Sequence, residues 1–231
     1  MVDRDVAYLI VMAKEPVPGR VKTRLCPPCT AAEASAIAEG ALLDTLEVLG
    51  RACESLRSEL AIEATVVLAL DGEVGPWLRS RPLVVAQRGD GLGQRLANAS
   101  RDLPDATAPR IMVGMDTPQL RLEVLVAAGA GARAGRAQLG PADDGGYWLI
   151  GLPTALPEAF DGVPMSTDQT GAAQHRQLQR LGLTVDLLPA LRDIDTMNDA
   201  VAVADTLPGS RTAAAVRRVV EPALHHVGVP Q

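Results

Sequence analysis

Short apolar runs, each broken off by turn residues, alternate along this chain with longer stretches of helical periodicity. That alternation constrains the fold more than any other feature. An uninterrupted apolar run of about four to eight residues suits a strand buried on both faces. Such strands, separated by helices, assemble into a largely parallel sheet. Val6–Met12 is the first of these runs, and Thr65–Leu70 follows, ended by Asp71-Gly72. Leu83–Ala86, Ile111–Met115 and Tyr147–Leu152 read the same way, and a further short strand is expected around Thr184–Leu187. Thr30-Ala31-Ala32-Glu33 is a capping box, and Ile37, Leu42, Leu46 and Leu49 behind it form one apolar helical stripe. Further helices are predicted from about Pro118 to Ala128, over Asp168–Leu181 and over Asn198–Leu207, with the Gly- and Ala-rich sequence after Ala128 unassigned. No repeat or linker marks a second domain, so 1–226 is expected to be one α/β domain with a tail at 227–231.

Composition narrows the partners. Aromatic residues are 2% of the chain, so the core must be built from Ala, Val, Leu and Ile. No apolar run approaches the ~18 residues that span a bilayer, so no membrane span is expected. The first run leads straight into Lys14-Glu15-Pro16 rather than a small-residue cleavage site, which predicts a cytoplasmic protein. A net charge of −6 argues against a nucleic-acid surface. It leaves room for a phosphate ligand, because a few local cations can make a positive pocket in an acidic protein. Cys26-Pro27-Pro28-Cys29 has zinc-ligand spacing, but no second pair completes it, and His175, His225 and His226 lie far away. These cysteines read as reduced thiols in a plain loop.

The polar residues of interest fall where strands end, which is where open α/β sheets form their ligand crevice. Ala13 to Leu25 carries Lys14, Arg20, Lys22 and Arg24 around Gly19 and two prolines. Arg20, Lys22 and Arg24 alternate, so an extended segment would point them one way, and a di- or triphosphate would supply the counter-anion they need. It is not a Walker A loop, since no glycine precedes Lys22. Gln87 to Leu96 holds Asp90, Gly91, Leu92, Gly93 and Arg95, a Gly-rich loop entering a helix whose first amides favour anions or polar base edges. Asp116, in Gly114-Met115-Asp116-Thr117-Pro118, sits at a strand tip and fits a magnesium or manganese ligand; Asp116 or Thr117 as the N-cap of the helix opened by Pro118 is the simpler reading, and the two roles are compatible. Asp143-Asp144-Gly145-Gly146 precedes a strand and is explained equally by a turn. Asp193 and Asp195 would share a face if extended, and a β-turn with Thr196 as a helix cap is the plainer alternative.

Taken together, Ala13-Lys14-Glu15-Pro16 through Lys22-Thr23-Arg24-Leu25, the Gly140–Gly151 block and Asp193-Ile194-Asp195-Thr196 resemble the nucleotide-diphospho-sugar transferase superfamily, the GT-A-like fold. The likeness runs from Val6 to about Leu207. More narrowly the chain is similar to the radical-SAM/selenodomain-associated transferases, cousins of phospholactate guanylyltransferase and the molybdenum-cofactor guanylyltransferase. The resemblance implies a three-layer α/β/α sandwich with a mixed, mostly parallel sheet. It implies that Ala13, Lys14, Gly19, Arg20, Lys22 and Arg24 wrap the nucleotide's phosphates, and that Asp90, Gly91, Leu92, Gly93 and Arg95 lie beside base or ribose. Asp116 and Asp195 would bind Mg2+ or Mn2+. Lys22, Asp116 and Asp144 would serve catalysis, and Gly145, Gly146, Tyr147, Ser166, Thr167 and Asp168 would meet the acceptor. Met165 stands where the family often has Trp, so a stacking role is not carried over.

Three functions are consistent with this reading. In nucleotidyl transfer a small phosphorylated acceptor attacks the α-phosphorus of a nucleoside triphosphate and pyrophosphate leaves. In glycosyl transfer a nucleotide sugar is the donor and Asp143 or Asp144 offers a general base. The third is a catalytically silent nucleotide-binding protein. A homodimer is compatible with each.

Overall fold

The computed structural model describes residues 5–225; His226 and the predicted tail at 227–231 lie outside the described residues. Its strands are β1 (Val6–Lys14), β2 (Glu63–Asp71), β3 (Leu83–Ala86), β4 (Arg110–Gly114), β5 (Ala137–Pro141), β6 (Tyr147–Leu152) and β7 (Val185–Leu187). They form one seven-stranded sheet in the order β3-β2-β1-β4-β6-β5-β7. β1 is parallel to β2 and β4, as are β2 to β3 and β5 to β7, whereas β6 runs antiparallel to β4 and β5. The helices are α1 (Ala31–Leu60), α2 (Gly91–Arg101), α3 (Leu122–Arg133), α4 (Thr170–Arg180), α5 (Met197–Thr206) and α6 (Arg211–His225). The result is the expected α/β/α sandwich with a mixed, mostly parallel sheet.

Two-sided burial explains the continuous apolar runs of β1, β4 and β6, whereas β3, expected to be buried in the same way, lies at the edge of the sheet and is largely exposed. Ala7, Leu9, Val11 and Ala13 of β1 pack with Leu42, Leu49 and Leu56 of α1 and with Leu125 and Ala128 of α3. Tyr8 and Ile10 point the other way, toward Leu96 and Ala99 of α2 and Leu178 of α4. A third cluster joins Leu25, Cys29 and Ile37 to α5 and α6, outside α1. At the start of α1 the Thr30–Glu33 capping box forms in both directions. Ser210 caps α6, accepting from Ala213 N at 3.0 Å, and Asp44 of α1 accepts from Thr212 N at 2.8 Å, Thr212 Oγ1 at 2.6 Å and Arg211 N at 3.2 Å.

The structure departs from expectation in three places. β5 and α6 were not foreseen. The helix expected from Pro118 begins instead at Leu122, with Arg121 as its N-cap, so neither Asp116 nor Thr117 caps it. Tertiary contacts take precedence there: Ile194 N donates to Asp116 O at 2.9 Å, Gln119 Nε2 donates to Arg192 O, and Leu120 is buried. Those contacts commit the backbone before Leu122 to a loop.

Candidate functional site

The parallel strands β1, β2 and β4 deliver their following loops to the same edge of the sheet, and a cavity of about 600 Å³ opens there. Ala13, Lys14, Arg20, Lys22, Arg24, Gly91, Leu92 and Arg95 line it, together with Asp116, Asp195 and Ser166. Residues far apart in the chain are thus brought to one crevice. Gln87, Met12, Val21, Thr23, Gly114 and Met115 also line it and were not singled out from the sequence.

The cationic loop is not extended. Val17 O accepts from Arg20 N at 3.0 Å, and Thr23–Leu25 closes a 3-10 turn. Buried Val21 and Leu25 anchor the segment, and Ser35 Oγ ties Pro16 O to α1 at 2.6 Å. These anchors override the alternation expected of Arg20, Lys22 and Arg24. The Lys22 side chain is 10% exposed and turned inward, whereas that of Arg24 is 76% exposed. Lys22 itself has φ 49° and ψ 36°, a left-handed conformation uncommon for a residue with a side chain.

The acidic partners are brought together by the backbone bond from Ile194 N to Asp116 O. Lys22 Nζ lies 2.9 Å from Asp116 Oδ1 and 3.8 Å from Asp195 Oδ1, and donates to Ile194 O. Arg24 Nη1 meets Asp195 Oδ2 at 2.9 Å. Oxygen donors of this kind suit Mg2+ or Mn2+. Asp116 Oδ1 is buried and faces the Lys22 ammonium without a well-angled hydrogen bond, so its lone pairs fit a divalent cation in the lysine's place. Among the described residues no group of three or more His, Cys, Asp or Glu is gathered to hold a metal. The pair therefore fits an ion whose remaining ligands come from phosphates and water, the usual magnesium arrangement. Nearby, burial pushes the Asp193 carboxyl up to about 6, helped by the negative charges of Asp144 and Asp195 and opposed by Lys22.

On the opposite rim, Gln87 Nε2 donates to Ala13 O at 2.9 Å and Ala69 O at 2.8 Å, which fixes its amide between β1 and β2. Arg95 Nη1 pairs with Asp71 Oδ2 at 2.6 Å, at the end of β2. Asp90 stands at the N-cap of α2 without a side-chain cap bond. Asp90 and Gly93 line a neighbouring cavity of about 620 Å³, shared with Gly91 and Leu92 and closed by Phe160 and Met165.

The residues expected on the acceptor side divide. Ser166, with φ 60°, reaches the first cavity. Asp144, Gly145, Gly146, Tyr147, Thr167 and Asp168 line neither cavity, and neither does Gly19, which was expected at the phosphates. Asp144 Oδ1 accepts from Gly146 N at 2.8 Å, holding the turn before β6. Gly145, with φ +87°, lets that turn sit against the Asp168 backbone. Tyr147 points toward the second core, its hydroxyl 3.2 Å from Gln174 Oε1, and burial pushes its phenol pKa up. Thr167 N donates to Thr170 Oγ1 at 3.0 Å, ahead of α4. Cys26, Cys29 and Cys53 are free thiols.

The model of a bacterial family, "Uncharacterized protein conserved in bacteria (DUF2064)", matches residues 46–167. The chain belongs to DUF2064. The match takes in Arg95, Asp116 and Ser166 but neither the cationic loop nor Asp195. No protein of curated function matches the sequence. Among solved structures, this DUF2064 member is similar to a provisionally named nucleotide-diphospho-sugar transferase from Desulfovibrio desulfuricans G20. The identity is 26% over 96% of this chain and 97% of that one, with a TM-score of 0.78. It also shares its fold with Rv0371c of Mycobacterium tuberculosis H37Rv, at 18% identity over 88% and 98% of the chains and a TM-score of 0.51. Rv0371c has also been solved as a complex with manganese. The 2-C-methyl-D-erythritol 4-phosphate cytidylyltransferase of Thermus thermophilus has the fold too, at 16% identity over 91% and 98% of the chains and a TM-score of 0.51. Among the described residues, no helix is long and apolar enough to cross a membrane.

Proposed function

We propose that this DUF2064 protein is a metal-dependent, nucleotide-using transferase. In the reading favoured here it is a nucleotidyltransferase that joins a nucleoside monophosphate unit from a triphosphate to a small phosphorylated acceptor. One observation carries the reading: Lys14, Arg20, Lys22, Arg24 and Arg95 line the same cavity as the carboxylates of Asp116 and Asp195. Cations beside paired carboxylates suit a polyphosphate and a divalent ion bound together.

In this mechanism Lys14, Arg20 and Lys22 hold phosphate oxygens by charge-assisted hydrogen bonds, and Gln87, Gly91, Leu92 and Arg95 border the base or ribose. The acceptor phosphate approaches past Ser166, with the turn of Asp144, Gly145 and Gly146, together with Tyr147, Thr167 and Asp168, shaping that side. An acceptor oxygen bonds to the α-phosphorus in line as the bond to pyrophosphate breaks, and the cations stabilise charge on the departing oxygens. Mg2+ or Mn2+, held by Asp116 and Asp195, supplies Lewis-acid neutralisation when bound. Kinship with the radical-SAM/selenodomain-associated branch, a guanine base, one domain, a cytoplasmic location and a homodimer belong to the same proposal.

Glycosyl transfer is the second reading, favoured by the name of the 26%-identical Desulfovibrio relative. There a nucleotide sugar is the donor and Asp143 or Asp144 the general base. Exchange of labelled pyrophosphate into a nucleoside triphosphate separates the two. Exchange supports nucleotidyl transfer; its absence, with slow release of free sugar from a nucleotide sugar, supports the rival.

A further inference from the structure

The carboxylates that would hold a divalent ion are already in use. Lys22 Nζ sits 2.9 Å from Asp116 Oδ1 and 3.8 Å from Asp195 Oδ1, with Ile194 O as a further acceptor. Arg24 also meets Asp195, but on an exposed side chain where solvent screens the pair. Lys22 is the shielded cation, and it is held there despite the left-handed backbone it must adopt. An ammonium at this position and a divalent cation on the same oxygens repel one another, and shielding from water strengthens the repulsion. A free ion must therefore displace the lysine and leave its charge without an anion.

We infer that Lys22 is an internal counter-ion that closes the Asp116–Asp195 pair to free divalent cations and opens it only to a metal–nucleotide chelate. The inference rests on the nucleotide reading above. Lys22 lines the same cavity as Lys14 and Arg20, neither of which is paired with a carboxylate among the described residues. A triphosphate entering that cavity offers the Lys22 ammonium new oxygens and carries its own cation to the vacated carboxylates. Two ion pairs exchange partners and no charge is stranded, which is the condition for a shielded pair to change hands. Linkage then requires nucleotide and metal to raise each other's affinity by the same factor. The preferred ligand is the chelate, and neither component alone binds as well.

Mn2+ titration of the full chain, followed by electron paramagnetic resonance without nucleotide, tests this. K22M and K22Q should bind Mn2+ about tenfold or more tightly than the parent protein, a coupling of ordinary size. The gain should vanish when Asp116→Asn is added. A nucleoside triphosphate should raise Mn2+ affinity in the parent, after correction for chelation in solution, and raise it less in K22M. Equal Mn2+ affinity in the parent and both variants, each shown folded by circular dichroism, overturns the inference. A gain in K22M that no nucleoside triphosphate alters in either protein overturns the nucleotide reading instead and leaves Lys22 as a counter-ion.

Discussion

Replacing Gly145 by alanine tests how the turn ahead of β6 is seated against the segment that leads into α4. Gly145 has φ +87°, where a residue with a side chain is strained; the left-handed conformation costs about 1–2 kcal/mol. A Cβ there would overlap the Asp168 carbonyl oxygen and lie 2.7 Å from its carbonyl carbon and 2.8 Å from its Cα. All three are backbone atoms, so no rotamer change relieves the contact, and overpacking of this kind costs about 1–3 kcal/mol. Together the substitution should destabilise by about 2–5 kcal/mol. In a chain of this length each kcal/mol moves the melting temperature by about 2–4 °C, so a fall of about 4–20 °C is expected. Gly182→Ala is the control. Its φ is +78° and nothing lies within 4 Å of the added carbon. It should show the backbone cost alone, about 1–2 kcal/mol. Calorimetric melting of both variants decides the matter. If they melt at the same temperature, the contact between Gly145 and Asp168 contributes nothing and the steric reasoning is wrong.

Three further outcomes are expected. Thr30→Ala removes the hydroxyl that accepts from Glu33 N, leaves the bond from Thr30 N to the Glu33 carboxylate, and should cost about 1 kcal/mol in urea unfolding, with Thr30→Ser recovering most of it. Asp44→Ala removes the acceptor that ties the N-terminus of α6 to α1 and leaves the Ser210 cap; limited proteolysis should then cut within 211–225 early while the far-ultraviolet spectrum of the sheet persists. Arg20→Ala should weaken triphosphate binding about 10- to 100-fold, the worth of one charge-assisted hydrogen bond, and leave nucleoside binding nearly unchanged. Calorimetry showing equal losses for both ligands would contradict its phosphate role.

Much of this architecture is legible because burial leaves a periodic trace. Tyr147–Leu152 is read to the residue, and the Thr30–Glu33 box marks the start of α1; Leu83–Ala86 also matches, though as an exposed edge strand rather than a buried one. β5 is harder, since Gln138, Gly140 and Pro141 interrupt any apolar run; Gln138 is nevertheless buried, its amide bonded to Arg136 O. α6 carries a cap of its own, Ser210, whose hydroxyl accepts from Ala213 N at 3.0 Å, but its other N-terminal acceptor, Asp44, lies on α1, out of reach of a local reading. The cationic and acidic residues of the site stand out by type and position at strand ends, but their mutual arrangement does not. Lys22 faces inward because Val21 and Leu25 pin a 3-10 turn, which alternating charges do not reveal. Asp195 reaches Asp116 through a bond between main-chain atoms of Ile194 and Asp116, and no side-chain pattern encodes such a bond. Asp71 pairs with Arg95 across a strand end that reads from sequence as an ordinary turn.

The late position of Asp195 bears on biosynthesis. Among the described residues every strand is complete by Leu187, so the emerging polypeptide possesses these seven strands before the segment that latches onto Asp116 has been translated. Domains generally fold from the N-terminus as they leave the ribosome. A product ending near Pro189 would therefore carry the sheet without α5, α6 and their packing on α1, with Lys22 facing a solitary aspartate. On the proposed nucleotide reading, the last charged residue of the site to be translated is Asp195.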